Sequence, residues 1–209
     1  MKRKLVKVLG LSYSQSQTGS YVLILAENKG KGKLPVIIKP NEAQRIALEA
    51  EGIKSPRPLT HDLLKSVSDS YGINIKEVFI YSLAEGIFYA KMITQNNYTD
   101  LDNGKSVIRN REVEIECSVG DAVILSYVYQ CPIYVAMSVM NSAGVYMNDD
   151  GTPVDVIEED EVEEPKAVVS IENLERALED AVRNEEYELA AKVRDRINEL
   201  KEKNNVDEL

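Results

Sequence analysis

The chain has 209 residues, 44% of them hydrophobic, and a formal net charge of −10 that comes from residues 151–209, which carry 19 Asp and Glu but only 8 Lys and Arg. This composition predicts a globular protein; it excludes one that coats DNA, although the near-neutral remainder can still bind phosphates. A single histidine excludes HExxH zinc sites. Two cysteines are too few for a disulfide framework and suit a reduced cytoplasm. No apolar run reaches the roughly 18 residues that a membrane helix needs.

Three strands and then two amphipathic helices are predicted between Leu5 and Tyr71. Apolar, β-branched runs predict strands, and apolar residues three and four positions apart predict helices. The second helix is expected to begin at Thr60 as its N-cap. Its apolar residues Leu63, Leu64 and Val67 are expected to face inward. The predicted segments are strands at Leu5–Leu11, Tyr21–Ala26 and Leu34–Ile38, a lysine-bearing loop at Asn28–Lys33, and helices over Glu42–Glu51 and Thr60–Tyr71.

Four further extended runs and two helices follow. In Glu112–Cys117, Val113 and Ile115 alternate with glutamates, which predicts a half-buried strand. Ser118 and Asp121 have the spacing of a capping box, which predicts the start of a helix. The predicted segments are strands at Ile75–Ser82, Ile87–Thr94, Glu112–Cys117 and Pro132–Val135, a polar hairpin-like loop at Asn96–Gly104, and helices over Val119–Tyr129 and Ala136–Asn141.

These elements predict an α+β fold in which a mixed β-sheet packs with helices over residues 1–146. A run of mutually repelling carboxylates predicts an acidic flexible linker over residues 147–169. Beyond the linker, apolar residues at helical spacing form two stripes that are separated by Asn184. Two short helices sharing one seam form an αα-hairpin, predicted over residues 170–205.

An ordered series of motifs resembles the bifunctional nuclease family. In chain order the motifs are Leu34-Pro35-Val36-Ile37-Ile38, Asn41-Glu42-Ala43-Gln44, Arg57-Pro58-Leu59-Thr60-His61-Asp62-Leu63-Leu64, Gly86-Ile87-Phe88-Tyr89-Ala90, Asp121-Ala122 and Pro132-Ile133-Tyr134-Val135. An ordered series that includes the run Arg-Pro-Leu-Thr-His-Asp is more specific than one short motif. The resemblance covers roughly Lys4 to Gly144 and implies DNase and RNase activity.

The C-terminal hairpin resembles the UVR motif. It contains Leu174-Glu175-Arg176-Ala177-Leu178 and then the run from Asn184 to Ile197, and the match spans roughly Ile171 to Lys203. In the UvrB and UvrC repair proteins and in protease adaptors, such motifs pair with another UVR hairpin or with a partner domain. A hairpin of about 35 residues buries too little surface to be very stable alone. The resemblance therefore implies a protein partner or self-association, and a homo-oligomer is expected.

Five residues from these motifs are candidates for catalysis: Glu42, Arg57, His61, Asp62 and Asp121. Phosphodiester hydrolysis needs a polarised phosphoryl group, an activated water and a protonated leaving oxygen. Arg57 can clamp a phosphate, and His61 can act as general acid or base. The carboxylates of Glu42, Asp62 and Asp121 can hold Mg²⁺ or Mn²⁺. No organic cofactor is expected.

Each candidate also has a structural explanation. Glu42 and Asp62 lie in first helical turns, where the helix dipole favours a carboxylate. Asp121 stands at the capping-box position. His61 can bond a backbone carbonyl, and Arg57 can form an internal salt bridge with Asp62 or Asp121. Both interpretations stay open at the level of the sequence.

The family resemblance implies a bacterial cytoplasmic nuclease that hydrolyses DNA or RNA with a divalent metal, and whose UVR hairpin serves protein–protein interaction without a membrane. The alternative is a non-catalytic oligomeric adaptor that recruits a repair or protease partner through the hairpin. This alternative is favoured by the acidic C-terminal region and by Ser118-Val119-Gly120, which stand where the family usually has Arg-Pro-Ser. A third alternative, small-molecule binding near Glu42 and Arg57, has no specific motif.

Overall fold

The computed structural model describes residues 2–14, 19–29, 31–102, 105–146 and 171–207, and these form an α+β fold. The strands are β1 (Arg3–Tyr13), β2 (Tyr21–Glu27), β3 (Gly32–Ile38), β4 (Ile73–Ala84), β5 (Ile87–Asp102), β6 (Lys105–Cys117), β7 (Ile133–Ala136) and β8 (Val145–Tyr146). The helices are α1 (Pro40–Ala50), α2 (Thr60–Ser70), α3 (Val119–Tyr129), α4 (Met137–Ala143), α5 (Ile171–Arg183) and α6 (Tyr187–Asp207). The predicted fold class and C-terminal hairpin are confirmed, whereas the predicted linker lies outside the described residues.

The described strands form one mixed sheet in the order β6-β5-β4-β7-β1-β2-β3-β8. Its mixed character comes from β7. This strand pairs in parallel with β4, where Val78 lies opposite Ile133, and antiparallel with β1, where Arg3 lies opposite Ala136. The sheet therefore contains both parallel and antiparallel strand pairs, as expected from a chain whose strands and helices do not alternate strictly.

The edge strand β8 is absent from the sequence prediction, because two residues carry no detectable periodicity. It pairs with the start of β3, Tyr146 opposite Gly32 and Val145 opposite Lys33. Gly32 and Lys33 are therefore strand residues, and the predicted loop at Asn28–Lys33 is too long at its C-terminal end.

The chain divides into two compact units. The first takes in Met1–Lys7, Ala26–Leu34 and Leu59–Asp155, and the second takes in Val8–Leu25, Pro35–Pro58 and Val156–Leu209. In the first unit α3 is apolar around its whole circumference, which is typical of a buried helix. It buries Val119, Gly120, Ala122, Val123, Ile124, Leu125, Ser126 and Tyr129. Among the described helices, none combines the length and apolarity that a membrane crossing requires.

In the second unit the C-terminal hairpin packs against α1. Gln44 Nε2 donates to the Ala177 carbonyl at 3.4 Å, and Arg196 Nε donates to Glu51 Oε2 at 2.7 Å. A two-helix hairpin buries little surface by itself. Here Leu48 of α1 completes its apolar core. The buried cluster comprises Leu48, Leu174, Ala177, Ala181, Leu189, Ala190, Val193 and Ile197.

The β5–β6 hairpin is longer than the sequence indicates. Asn96–Gly104 is predicted as a loop, but β5 continues to Asp102 and β6 begins at Lys105. The register is continuous from Ala90 opposite Cys117 to Asp102 opposite Lys105. The loop prediction is wrong because ladder hydrogen bonds join backbone atoms, so polar side chains are tolerated where two strands are already aligned.

The β6 strand lies at one edge of the sheet, and its apolar side is accessible. Glu112–Cys117 is a strand as predicted, but Val113 and Ile115 are exposed along with the glutamates between them. The predicted half-burial is wrong for these two residues. Alternation indicates that a strand has two different sides, but it does not indicate whether another element covers the apolar one.

The orientation of α2 is opposite to the prediction. Leu63, Leu64 and Val67 are exposed, not inward. The side of α2 that contacts α3 instead carries the polar residues His61 and Lys65. These polar contacts fix the rotation of the helix about its axis, and they place its apolar stripe in solvent. The inward prediction is therefore wrong.

Candidate functional site

His61 and Asp121 meet where the first turns of α2 and α3 lie side by side. His61 Nε2 is 3.1 Å from Asp121 Oδ1. The other oxygen, Asp121 Oδ2, accepts a hydrogen bond from Ser118 Oγ at 2.8 Å, and the Asp121 backbone N–H donates to the same hydroxyl at 3.0 Å. Ser118 is thus the N-cap of α3, as its spacing predicts, and it also orients the carboxylate.

This arrangement can move protons at a solvent-accessible position. With Asp121 accepting from Nε2–H, the neutral imidazole keeps Nδ1 as its acceptor, an assignment that follows from the hydrogen-bond partners. The side chain of His61 is 19% exposed and that of Asp121 47%. Ser118 bonds to Asp121 and not to the imidazole, so the trio differs from a serine-nucleophile triad, in which the histidine contacts the hydroxyl. It is suited to activating water.

Lys65 adds a cation next to His61. The two residues are one helical turn apart on α2 and therefore share a face. Lys65 Nζ lies 4.6 Å from the centre of the Tyr129 ring on α3 and 3.2 Å from Asp69 Oδ2. Among the described residues the buried Tyr129 hydroxyl has no hydrogen-bond partner. Lys65 is not among the residues predicted from the sequence, although its spacing of four from His61 is a signal for it.

Two of the predicted carboxylates cap their own helices. Asp62 Oδ2 accepts the Leu59 backbone N–H at 2.9 Å, so Leu59, and not Thr60, is the N-cap of α2. Glu42 Oε2 accepts the Lys39 backbone N–H at 2.9 Å in the same way at the start of α1. Both contacts are those expected of the structural explanation, and a catalytic role for either carboxylate stays a prediction.

The other predicted residues have different surroundings. Asp62 and the His61–Asp121 pair belong to the first compact unit, whereas Glu42 and Arg57 belong to the second. Arg57 is exposed, and in the part of the chain that the structure describes it forms no ion pair. A phosphate-binding role for Arg57 stays a prediction.

The carboxylates provide no complete metal site within the described residues. No group of three His, Cys, Asp or Glu side chains there is placed to hold a metal ion. Because Mg²⁺ is commonly held by one or two carboxylates together with substrate phosphates, a joint site of Glu42, Asp62 and Asp121 stays a prediction. The chemistry of the His61–Asp121 pair does not depend on it.

The two cysteines are poorly suited to be nucleophiles. Burial, with a further contribution from the nearby Asp121 carboxylate, raises the pKa of Cys117 to about 11. Burial also raises the pKa of Cys131 to about 11. The thiolate, which is the reactive form, is therefore scarce near neutral pH.

The fold and the site define an α+β protein with a partly exposed His–Asp pair and a C-terminal two-helix hairpin. Residues 23–148 match the bifunctional nuclease domain, and residues 169–203 match the UvrB/uvrC motif. Two uncharacterized proteins from strains of Mycobacterium tuberculosis are each 36% identical over 163 residues, which is 77% of this chain and 90% of the relative. The chain belongs to the bifunctional nuclease domain family, which confirms both resemblances seen in the sequence.

Proposed function

We propose that the protein hydrolyses phosphodiester bonds of DNA or RNA, with His61 as the general acid–base and Asp121 as its orienting partner. The observation that carries this proposal is the 3.1 Å contact between His61 Nε2 and Asp121 Oδ1 in a domain of the bifunctional nuclease family. Both residues come from the motifs that identify the family. A histidine held by a carboxylate is a common way to present one ring nitrogen to a substrate.

The proposed reaction needs only a water molecule and a phosphodiester. His61 Nδ1 accepts a proton as the water oxygen attacks phosphorus, and Asp121 stabilises the imidazolium that forms. The bond from phosphorus to the leaving oxygen breaks, and the imidazolium returns its proton to that oxygen. Lys65 is placed one turn away to contact a non-bridging phosphate oxygen. When bound, Mg²⁺ or Mn²⁺ would supply further stabilisation of the phosphoryl charge.

The test is cleavage of single-stranded DNA, duplex DNA and RNA by the purified full chain, with Mg²⁺ or Mn²⁺ and with chelator. His61→Ala and Asp121→Asn are each expected to reduce the cleavage rate by about 10² to 10⁴, the usual contribution of general acid–base catalysis. Glu85→Gln, which removes an exposed carboxylate of the same unit outside α2 and α3, is the matched control. Wild-type rates in both site variants would show that this pair is not catalytic.

A second candidate function is that of an adaptor. The C-terminal hairpin supports this function. Two large apolar residues with exposed side chains, Val182 and Tyr187, flank the turn between α5 and α6. Exposed anchors of this kind are typical of protein–protein contacts. The adaptor would act in the cytoplasm by recruiting a repair or protease partner. Binding of that partner by the full chain, lost in a Tyr187→Ala variant and unaffected by His61→Ala, would support this function over the first.

A further inference from the structure

The outer side of α2 is an apolar stripe in the first compact unit. Its four large residues are Leu63, Leu64, Val67 and Tyr71, which follows the last helical residue, with exposures of 59%, 37%, 48% and 73%. At 100° per residue these positions span an arc of about 100°, the width of the apolar stripe by which a surface helix normally faces its core. In α2 the core-facing side is polar instead. We refer to these four residues as the α2 outer face.

The α2 outer face carries no charge. Ser66 and Ser70 lie along its border, and their hydroxyls donate to the Asp62 and Ser66 carbonyls of the same helix at 3.0 and 2.8 Å. The ion pair of the same helix, Lys65 with Asp69, lies on its other side. A phosphate, an anionic lipid headgroup or a charged peptide would find no complementary group on this face. The occupant is therefore an apolar, uncharged surface.

The α2 outer face matches itself when two copies are set antiparallel about Val67. Around the helix, Leu64 and Tyr71 lie on one side of Val67, and Leu63 and Ser70 lie on the other. Leu64 therefore meets Tyr71 of the second copy, and the bulky Leu63 meets the small Ser70. Pairing of large with small residues allows two helices to interdigitate. Residues 1–150 add almost no charge repulsion between two copies, since they carry 17 Lys and Arg against 16 Asp and Glu. The repulsion that the dimer has to overcome comes from residues 151–209, which carry 8 against 19.

We propose that the α2 outer face is the self-association surface of this protein, with a second copy of the chain related by a two-fold axis at Val67. A two-fold interface uses the same patch on both copies, so a residue on the axis contacts its own equivalent. One helix face is smaller than the roughly 800 Å² per partner of a standard interface, so the dimer is weak and forms in the micromolar range or above. The proposal is independent of whether the protein cleaves nucleic acid.

The test is sedimentation equilibrium of the full chain from about 1 to about 500 µM, a range suited to a weak interface. Wild-type protein is expected to dimerise. Val67→Glu and Val67→Lys place like charges opposite each other on the axis, and each variant alone should dimerise at least about tenfold more weakly. An equimolar mixture of the two variants should regain dimerisation as a heterodimer, because unlike charges then meet. A thermal melt of each variant verifies that it is folded.

The matched control is Ile87→Glu, a charge placed at an exposed apolar residue of the same unit but outside α2. It should dimerise as wild type does. A wild-type chain that remains monomeric over the whole range would overturn the proposal and leave the face to a different apolar partner. Two folded Val67 variants that stay monomeric when mixed would also overturn it, since the two-fold axis would then lie elsewhere.

Discussion

At the scale of single residues, Asp121 shares its carboxylate between two neighbours. Oδ1 contacts His61 and Oδ2 accepts from Ser118. The carboxylate cannot rotate without losing one of these hydrogen bonds, so the imidazole is held in one orientation. Ser118 bonds to Asp121 and not to the imidazole. It is a positioning residue for His61, and it also caps α3.

The capping role of Ser118 and its positioning role can be measured separately. Ser118→Ala is expected to lower the stability of the protein by about 1 kcal/mol through loss of the cap. It should also lower kcat by between about tenfold and a hundredfold through misplacement of the imidazole, with little change in KM. Ser118→Thr keeps a hydroxyl and should restore both. Urea unfolding and oligonucleotide cleavage measure the two effects. A loss of stability with unchanged kcat would leave Ser118 only its capping role.

Lys65 is expected to contact a phosphate of the nucleic acid. Its exposed ion pair with Asp69 is worth only about 0.3 to 0.5 kcal/mol, so a phosphate can replace the carboxylate. In equilibrium binding of a single-stranded oligonucleotide, Lys65→Gln should reduce the slope of log affinity against log salt by about 0.7. Lys65→Arg should keep it. Lys76→Gln, at an exposed lysine paired with Glu112 in the same unit, is the control. Equal slopes for both Gln variants would rule out the contact.

The cysteine thiols predict a pH dependence. Because burial raises the pKa of Cys117 and Cys131 to about 11, alkylation of the native protein at pH 7 should be roughly a hundredfold slower than that of free cysteine. The neutral thiol is therefore more strongly favoured in the folded state than in the unfolded state. The resulting stability is therefore present below pH 9 and decreases as the pH rises toward 11. Iodoacetamide kinetics measure the alkylation rate, and urea unfolding between pH 7 and 11 measures the stability. Rapid labelling at pH 7 would show that the thiols are not protected by burial.

At the scale of elements, α2 and α3 show what helical periodicity can and cannot predict. Both helices were located correctly, and the α3 bounds Val119–Tyr129 agree with the prediction. The rotation of α2 was not predictable. An apolar stripe looks the same in sequence whether it packs within its own chain or against another molecule. Only the tertiary contacts of His61 and Lys65 show which side of this helix is inside.

The candidate site was predictable in composition but not in geometry. His61 and Asp121 were both selected from motifs, yet 60 residues separate them, and a contact over that distance depends on how α2 and α3 pack. The β5–β6 hairpin shows the same limit for strands. Polar residues near its turn indicated a loop, whereas the pairing of two already aligned strands extends regular structure through them.

At the scale of the whole molecule, the hairpin that matches the UVR motif is part of a compact unit and not a separate attachment. Its apolar seam is completed by Leu48 of α1, and Arg196 pairs with Glu51, whose side chain is almost fully buried. The seam is therefore already occupied within the chain. A protein partner would meet the opposite, exposed residues Val182 and Tyr187.

The contribution of α1 to the hairpin can be measured by removing one side chain. Leu48 is 2% exposed, and Leu48→Ala is expected to cost about 2 to 5 kcal/mol of local stability, because it leaves a cavity in the shared core. Amide hydrogen exchange in α5 and α6 should then become faster, while exchange in β4, which belongs to the first unit, should not change. Val182→Ala, at an exposed position on α5, is the control and should leave exchange as in wild type. Unchanged exchange in α5 and α6 after Leu48→Ala would mean that the hairpin is stable without α1. The UVR-like helices would then behave as an independent module, and their seam would be open to a partner.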